Sequence, residues 1–175
     1  MAAFTVIDHT ELGAAASSWT ATSIPSSYDH LCLKISARSD QAAVIAGMGM
    51  LFNGATTDYS ETRITASSAT PGSSRKTGES ILRAWGNTCG ANALADTFAP
   101  TTVWIPNYAN TANYKSFISQ TSTPNNSAVD GNWYLMLGAG LWSDTSALSQ
   151  IDVSMISGDD FVQYSTFTLY GVTGA

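Results

Sequence analysis

The segment Tyr28-Asp29-His30-Leu31-Cys32-Leu33-Lys34-Ile35-Ser36-Ala37-Arg38-Ser39-Asp40 alternates between two kinds of side chain. Leu31, Leu33, Ile35 and Ala37 share one side of an extended backbone, while His30, Lys34, Ser36 and Arg38 share the other, with Cys32 as the apolar exception. Successive side chains of a strand point to opposite faces, so this segment reads as a β-strand with one buried and one wetter face. Asp29 and His30 then lie on opposite faces and cannot work as an orienter and a base. His30 reads as a surface or interface residue.

The same period of two recurs outward from this strand. Met48, Met50 and Phe52 alternate with Gly47 and Gly49, and glycines inside a strand let a neighbour approach closely. Val103 and Ile105 oppose Trp104; Tyr114, Ser116 and Ile118 oppose Lys115, Phe117 and Ser119. Trp133, Leu135, Leu137, Ala139 and Leu141 form a long stripe, and Ile151, Val153, Met155, Phe167 and Leu169 supply two further strands. Between them lie turn-forming clusters at 24–27, 39–41, Asn53-Gly54, 67–74, 107–113, 121–132 and 157–160. Many short strands at this spacing predict an all-β fold, an antiparallel β-sandwich of jelly-roll type with about eight to ten strands and almost no helix. Residues 17–175 read as one domain, preceded by residues 1–16 as an N-terminal arm or first strand. The expected core includes Leu33, Ile35, Phe52, Leu135, Leu137, Val153 and Leu169. Ala91-Asn92-Ala93-Leu94-Ala95 is the one stretch that could make a helical turn.

Composition narrows the class of function. The chain has 175 residues, the size of one domain with a real core. Only 11% of its residues are charged, against roughly 25% in an ordinary soluble domain. Charge normally keeps copies of a protein apart, so a surface this poor in charge favours coverage by other subunits or display in a fixed array. Seven Lys and Arg against thirteen Asp and Glu give a net charge of -6, and no clustered basic patch is evident, so no nucleic-acid partner is expected. The pair Arg75-Lys76 reads as part of a solvated loop. No run approaches the roughly 18 apolar residues of a membrane span, and no membrane partner is expected. The N-terminus lacks the basic and apolar regions of a signal peptide, which implies assembly in a cytoplasm. Cys32 and Cys89 then read as small apolar residues in a reducing compartment.

No set of residues in the sequence is arranged for catalysis, cofactor binding or metal binding. His9, His30, Cys32 and Cys89 lack ligand spacing. Glu11, Glu61, Glu79, Asp96, Asp130, Asp144, Asp152 and Asp159-Asp160 are candidates for paired carboxylates in number only, and Asp159-Asp160 lacks the spaced oxygen ligands of a calcium loop. Gly47-Met48-Gly49 and Gly138-Ala139-Gly140 fall inside strand patterns, where no phosphate-cradling loop forms. Among the aromatics, Trp133, Phe52 and Phe167 sit on apolar stripes and read as core. Trp19, Trp85 and Trp104 read as candidates to contact another subunit or a ligand.

Eight segments in order resemble a family of small structural domains of tailed-bacteriophage virions. They are Tyr28-Asp29-His30-Leu31; the following strand to Ala37-Arg38-Ser39; Leu51-Phe52-Asn53-Gly54 with Asp58-Tyr59-Ser60 after it; Ile105-Pro106-Asn107-Tyr108-Ala109-Asn110; Lys115-Ser116; Gly140-Leu141-Trp142; Ala147-Leu148-Ser149-Gln150-Ile151; and Phe167-Thr168-Leu169-Tyr170-Gly171-Val172. The likeness covers most of the chain from about residue 17, and residues 82–97 depart from it. Members look like β-sandwich virion proteins, used as head decoration or as tail and fibre modules. The resemblance implies a structural role in the virion and carries over no catalytic residue.

Within that family, the few residues before the first strong strand are too short for a fibre shaft. That favours a self-contained decoration, or cement, protein: a homotrimer or another small homo-oligomer that binds the major capsid protein on the assembled head. Thr5, Val6, Ile7 and His9 could add a strand to a neighbour, and Trp19, His30, Trp85 and Trp104 complete the expected interface. The competing expectation is a tail-fibre or receptor-binding module in which Trp85, Trp104 or Tyr108 stacks on sugar.

Overall fold

A computed structural model describes residues 3–83, 85–125 and 133–174. Twelve strands make up its regular structure, with no helix among the described residues: β1 (Ala3–Glu11), β2 (Ser18–Ala21), β3 (His30–Ala37), β4 (Ile45–Phe52), β5 (Tyr59–Ser67), β6 (Thr70–Glu79), β7 (Asn87–Cys89), β8 (Ala99–Pro106), β9 (Lys115–Thr123), β10 (Tyr134–Trp142), β11 (Ile151–Met155) and β12 (Thr166–Thr173). They form an eight-stranded sheet in the order β1-β12-β3-β8-β9-β10-β5-β6 and a four-stranded sheet in the order β2-β11-β4-β7. Every paired ladder is antiparallel.

This strand order is a jelly roll with an addition. The quartet β1-β12-β3-β8 faces the quartet β2-β11-β4-β7, and consecutive strands pass back and forth between the two sheets, as in paired Greek keys. The other four strands, β9-β10-β5-β6, are added beyond β8 and widen the first sheet only. Two of them, β5 and β6, lie in sequence between β4 and β7; β9 and β10 lie between β8 and β11. The sandwich is therefore closed by eight strands, and the added four form a wing that the small sheet only partly covers.

The core lies between the sheets. Leu31, Leu33, Ile35 and Ala37 are buried as the alternation of β3 requires, and they meet Met48, Met50, Phe52, Ile151 and Val153 from the small sheet. The Phe52 ring lies 6.3 Å from Tyr59, 6.3 Å from Phe117 and 6.1 Å from Trp142, each edge-on. Trp19 stacks on Phe167 at 5.3 Å with planes 8° apart. Gly47 and Gly49 make room on the other face of β4, where Ile156 and Ile81 of the same chain lie over them. Asn53-Gly54 forms a tight turn with both residues at positive φ, 51° and 67°, and the Asn53 amide ties it to 147–150 through Ala147 O, Ser149 N and Gln150 N.

Several expectations are corrected. The strands number twelve, because residues 67–74, read as a turn cluster, hold only a short turn before β6. β6 escapes detection since it is an edge strand exposed on nearly its whole length and so carries no apolar alternation. Arg75 and Lys76 accordingly lie on a strand and not in a loop. Leu135 and Leu137 are exposed, while Met136 and Trp142 are buried. On the inner face of β10 a Cβ at Gly140 would lie 2.3 Å from the Phe117 ring, so a glycine there seats a bulky neighbour and the aliphatic stripe faces outward. Thr121 to Thr123 belong to β9, and the part of that cluster at 126–132 lies outside the described residues, as does Asp130.

Residues 91–95 form turns and not a helical turn. They wrap around Arg38, whose guanidinium donates to Leu94 O (2.8 Å), Thr97 O (3.1 Å), Ala91 O (3.2 Å) and Ala93 O (3.3 Å). Lys115 does the same work elsewhere. Fully buried, it donates to Asn110 O (2.7 Å), Asn113 O (2.7 Å) and Thr145 O (3.0 Å). Burial pushes the pKa of its ammonium down, and nearby Asp144 opposes that shift.

Candidate functional site

The eight-stranded sheet turns one face to the core and the other outward, where Phe4, Ile118, Leu135 and Ile64 are exposed and Cys32 is buried among its neighbours. Antiparallel register places Val6, Tyr170, Cys32, Trp104, Ile118, Ala139, Thr62 and Arg75 side by side in one row across all eight strands. The next row runs His9, Thr168, Lys34, Thr102, Gln120, Leu137, Ile64 and Ser73. Only Lys34 and Arg75 in these two rows carry a full charge, and Lys34 Nζ donates to Thr102 Oγ1 at 2.9 Å.

On the added wing this face becomes apolar. Ile64 is 60% exposed, Leu135 59%, Ile118 48% and Leu137 39%. Ile64, Leu135 and Leu137 line a shallow depression of about 410 Å³ together with Ala66 and Gln120, and a neighbouring one of about 330 Å³ is lined by Trp133 and Pro124. Scattered exposed aliphatics are ordinary on protein surfaces; four large ones brought together by neighbouring strands mark a contact surface. Each would contribute about 1 kcal/mol if its uncovered half were buried.

At the jelly-roll end the same face holds an aromatic group. Phe4 lies 5.9 Å from Tyr170 and 6.4 Å from Trp104, and the His30 ring lies 5.4 Å from Trp104. His30 Nδ1 accepts from Asn107 N at 3.2 Å. Trp104 and Ile118 are direct cross-strand neighbours, so the aromatic group and the apolar wing are continuous.

The residues singled out from the sequence divide cleanly. Val6, His9, His30 and Trp104 lie on this outer face, with His9 Nδ1 2.8 Å from Thr168 Oγ1, while Thr5 is exposed on the opposite side of β1, in register with Gly171. Ile7 packs against the core. Trp19 and Trp85 are corrected outright: both are buried in the core, where an indole fills space between sheets and offers no surface to a partner. Tyr108 is buried as well. Residues 3–11 form β1, paired with β12 from Ala3↔Thr173 to Glu11↔Thr166, and are no detached arm. Ile64, Leu135 and Leu137 are surface residues that the apolar stripe alone does not reveal; the glycines on the other side of β10, Gly138 and Gly140, are the available signal.

Both cysteines are free and buried, and burial pushes both thiols up, against weaker opposing fields from Lys34 at Cys32 and Arg38 at Cys89. No three His, Cys, Asp or Glu side chains converge among the described residues. Asp159 accepts from Ser157 Oγ, while the backbone N–H of Asp160 donates to Asp40 Oδ1 at 2.8 Å. No helix among the described residues is long and apolar enough to cross a membrane. No protein-family model and no curated protein matches the chain.

Proposed function

We propose that this chain is a structural component of a bacteriophage virion, a head decoration protein that acts as a small homo-oligomer on the assembled capsid. The observation that carries this reading is the exposed aliphatic group Ile64, Ile118, Leu135 and Leu137 on the added wing of an otherwise charge-poor sheet face. At about 1 kcal/mol each, these four side chains supply about 4 kcal/mol, well short of the roughly 8 kcal/mol of micromolar affinity. One copy on one capsid subunit is therefore weakly held. An oligomer spanning several subunits multiplies weak contacts through effective concentration, which couples binding to the assembled lattice and disfavours free subunits. Binding to the assembled state alone stabilises that state by mass action. Residues 3–11 pair with β12 on one side only and leave the outer edge of β1 open, so strand addition there stands beside the sheet face as a second candidate contact.

The test is to strip the protein from particles, measure their tolerance of heat, and add back wild type or Leu137→Asp. Restoration by wild type and not by Leu137→Asp supports the reading; restoration by both removes the wing from the contact, and restoration by neither removes the decoration role. The aromatic group of Trp104, His30 and Phe4 favours a second reading, a tail module that stacks sugar on Trp104. Copy number separates the two, since a head decoration protein is present in far more copies than a tail-tip protein.

A further inference from the structure

The inner face of the β5–β6 hairpin overhangs the free edge of the small sheet at β7 and encloses a groove of about 210 Å³. Arg63, Lys76 and Arg83 line it, together with Glu61, Asn87 and Ile156. Three of the seven cationic residues of an acidic chain thus meet in one place. Arg63 is oriented by its Nε, which donates to Ser74 Oγ at 2.9 Å. Lys76 stands cross-strand from Glu61 and 3.8 Å from Glu79. Arg83 is anchored by its backbone N–H, which donates to Glu61 Oε2 at 2.6 Å, and its guanidinium has no hydrogen-bond partner among the described residues.

Two guanidiniums and an ammonium suit a planar carboxylate, which an arginine fork can hold through two parallel hydrogen bonds. The buried Glu61 in the same wall argues against a compact inorganic dianion, which it would repel. A ligand with a carboxylate at one end and hydroxyl donors at the other suits both signs of charge: the cations take the carboxylate, and Glu61 with the Asn87 amide takes hydroxyls. The volume suits one sugar ring; pockets for drug-sized ligands start near 300 Å³. We propose that this groove binds an acidic monosaccharide unit. It lies on the opposite face of β5 from Ile64 and is independent of the sheet-face reading.

The experiment titrates the full chain with sodium glucuronate at constant ionic strength, with glucose and sodium sulfate as controls, followed by side-chain NMR signals of Arg63, Arg83 and Asn87. Saturable shifts with glucuronate in the millimolar range are expected, weakened at least tenfold in Arg63→Gln and in Arg83→Gln, with no saturation by glucose. Arg63→Lys keeps the charge without the fork and is expected to lose most of the affinity. Arg83 is exposed, so Arg83→Gln carries the test if Arg63→Gln does not fold. Absence of saturation with glucuronate, equal binding of sulfate or glucose, or indifference to Arg83→Gln overturns the proposal.

Discussion

Leu137 and Ile64 stand directly opposite each other in the β10–β5 ladder, on the side of the sheet that no other element covers among the described residues. Directly opposed aliphatic residues support a ladder by a few tenths of a kcal/mol to about 1 kcal/mol, which does not account for leaving both in water. The inner side of these wing strands packs on the core through Tyr59, Phe117 and Trp142, whereas the side that carries Leu137 and Ile64 has no such demand. Leu137→Asp is expected to change stability by less than about 1 kcal/mol, as surface substitutions do, while abolishing association with the capsid lattice or with other copies. Thermal melting and sedimentation on the same sample check both halves. Loss of stability by several kcal/mol would make Leu137 a structural residue.

Phe52 carries the opposite expectation. Its ring is fully buried where β4 meets β5, β9 and β10, with Tyr59, Phe117 and Trp142 around it. Phe52→Ala is expected to cost about 3 to 5 kcal/mol through lost burial and the cavity left behind. Urea denaturation measures it, and an unchanged midpoint would contradict the packing.

What was legible in the sequence follows from which forces act locally. The alternation of β3 and the Asn53-Gly54 turn are local signals, and both strand and turn stand where the sequence puts them. The stripe Leu135-Leu137 is visible in the sequence, yet it lies on the outer face and not in the core. Periodicity gives a strand's two sides and not which one is buried; that is decided by Phe117 lying over Gly140, a contact between strands. Trp85 gave no periodic signal, so its burial depends on the jelly roll closing over it. β6 left no trace because an edge strand exposed on both faces needs no apolar residues. The wing's cationic groove was equally hidden, since Arg63 and Arg83 are twenty residues apart and meet only through the hairpin.

Arg38 offers a third test. Its guanidinium is the common donor for four carbonyls of the loop between β7 and β8. Hydrogen bonds to a charged donor contribute about 1.5 to 3 kcal/mol in favourable cases, and carbonyls near the surface recover part of that from water. Arg38→Ala is expected to cost about 2 to 4 kcal/mol and to loosen residues 91–97 first. Hydrogen exchange localises the effect. Uniform acceleration across both sheets, with 91–97 no faster than the rest, would show that Arg38 supports the sandwich as a whole.

Tyr59 links the core to pH. Its hydroxyl is buried, accepts from Phe52 N at 2.8 Å and lies 3.1 Å from Ala55 O, within reach to donate. Burial raises its pKa from 10.0 to about 12; the Phe52 backbone N–H works against that shift and Asp152 adds to it. Because the folded value is the higher one, the unfolded chain releases this proton first as pH climbs. The stabilisation is complete below pH 10 and is lost between pH 10 and pH 12. Two pKa units correspond to about 3 kcal/mol, of which about half is gone by pH 11. Tyr108, raised by the same cause, adds to the alkaline decline. Tyr59→Phe is expected to lower stability by about 1 kcal/mol at pH 8, since Phe52 N loses its acceptor, and to flatten the fall from pH 9 to pH 11 by about 1.4 kcal/mol. Urea titrations of both proteins at pH 8, 9, 10 and 11 measure the difference, and parallel curves would show that Tyr59 ionises as freely in the fold as in the unfolded chain.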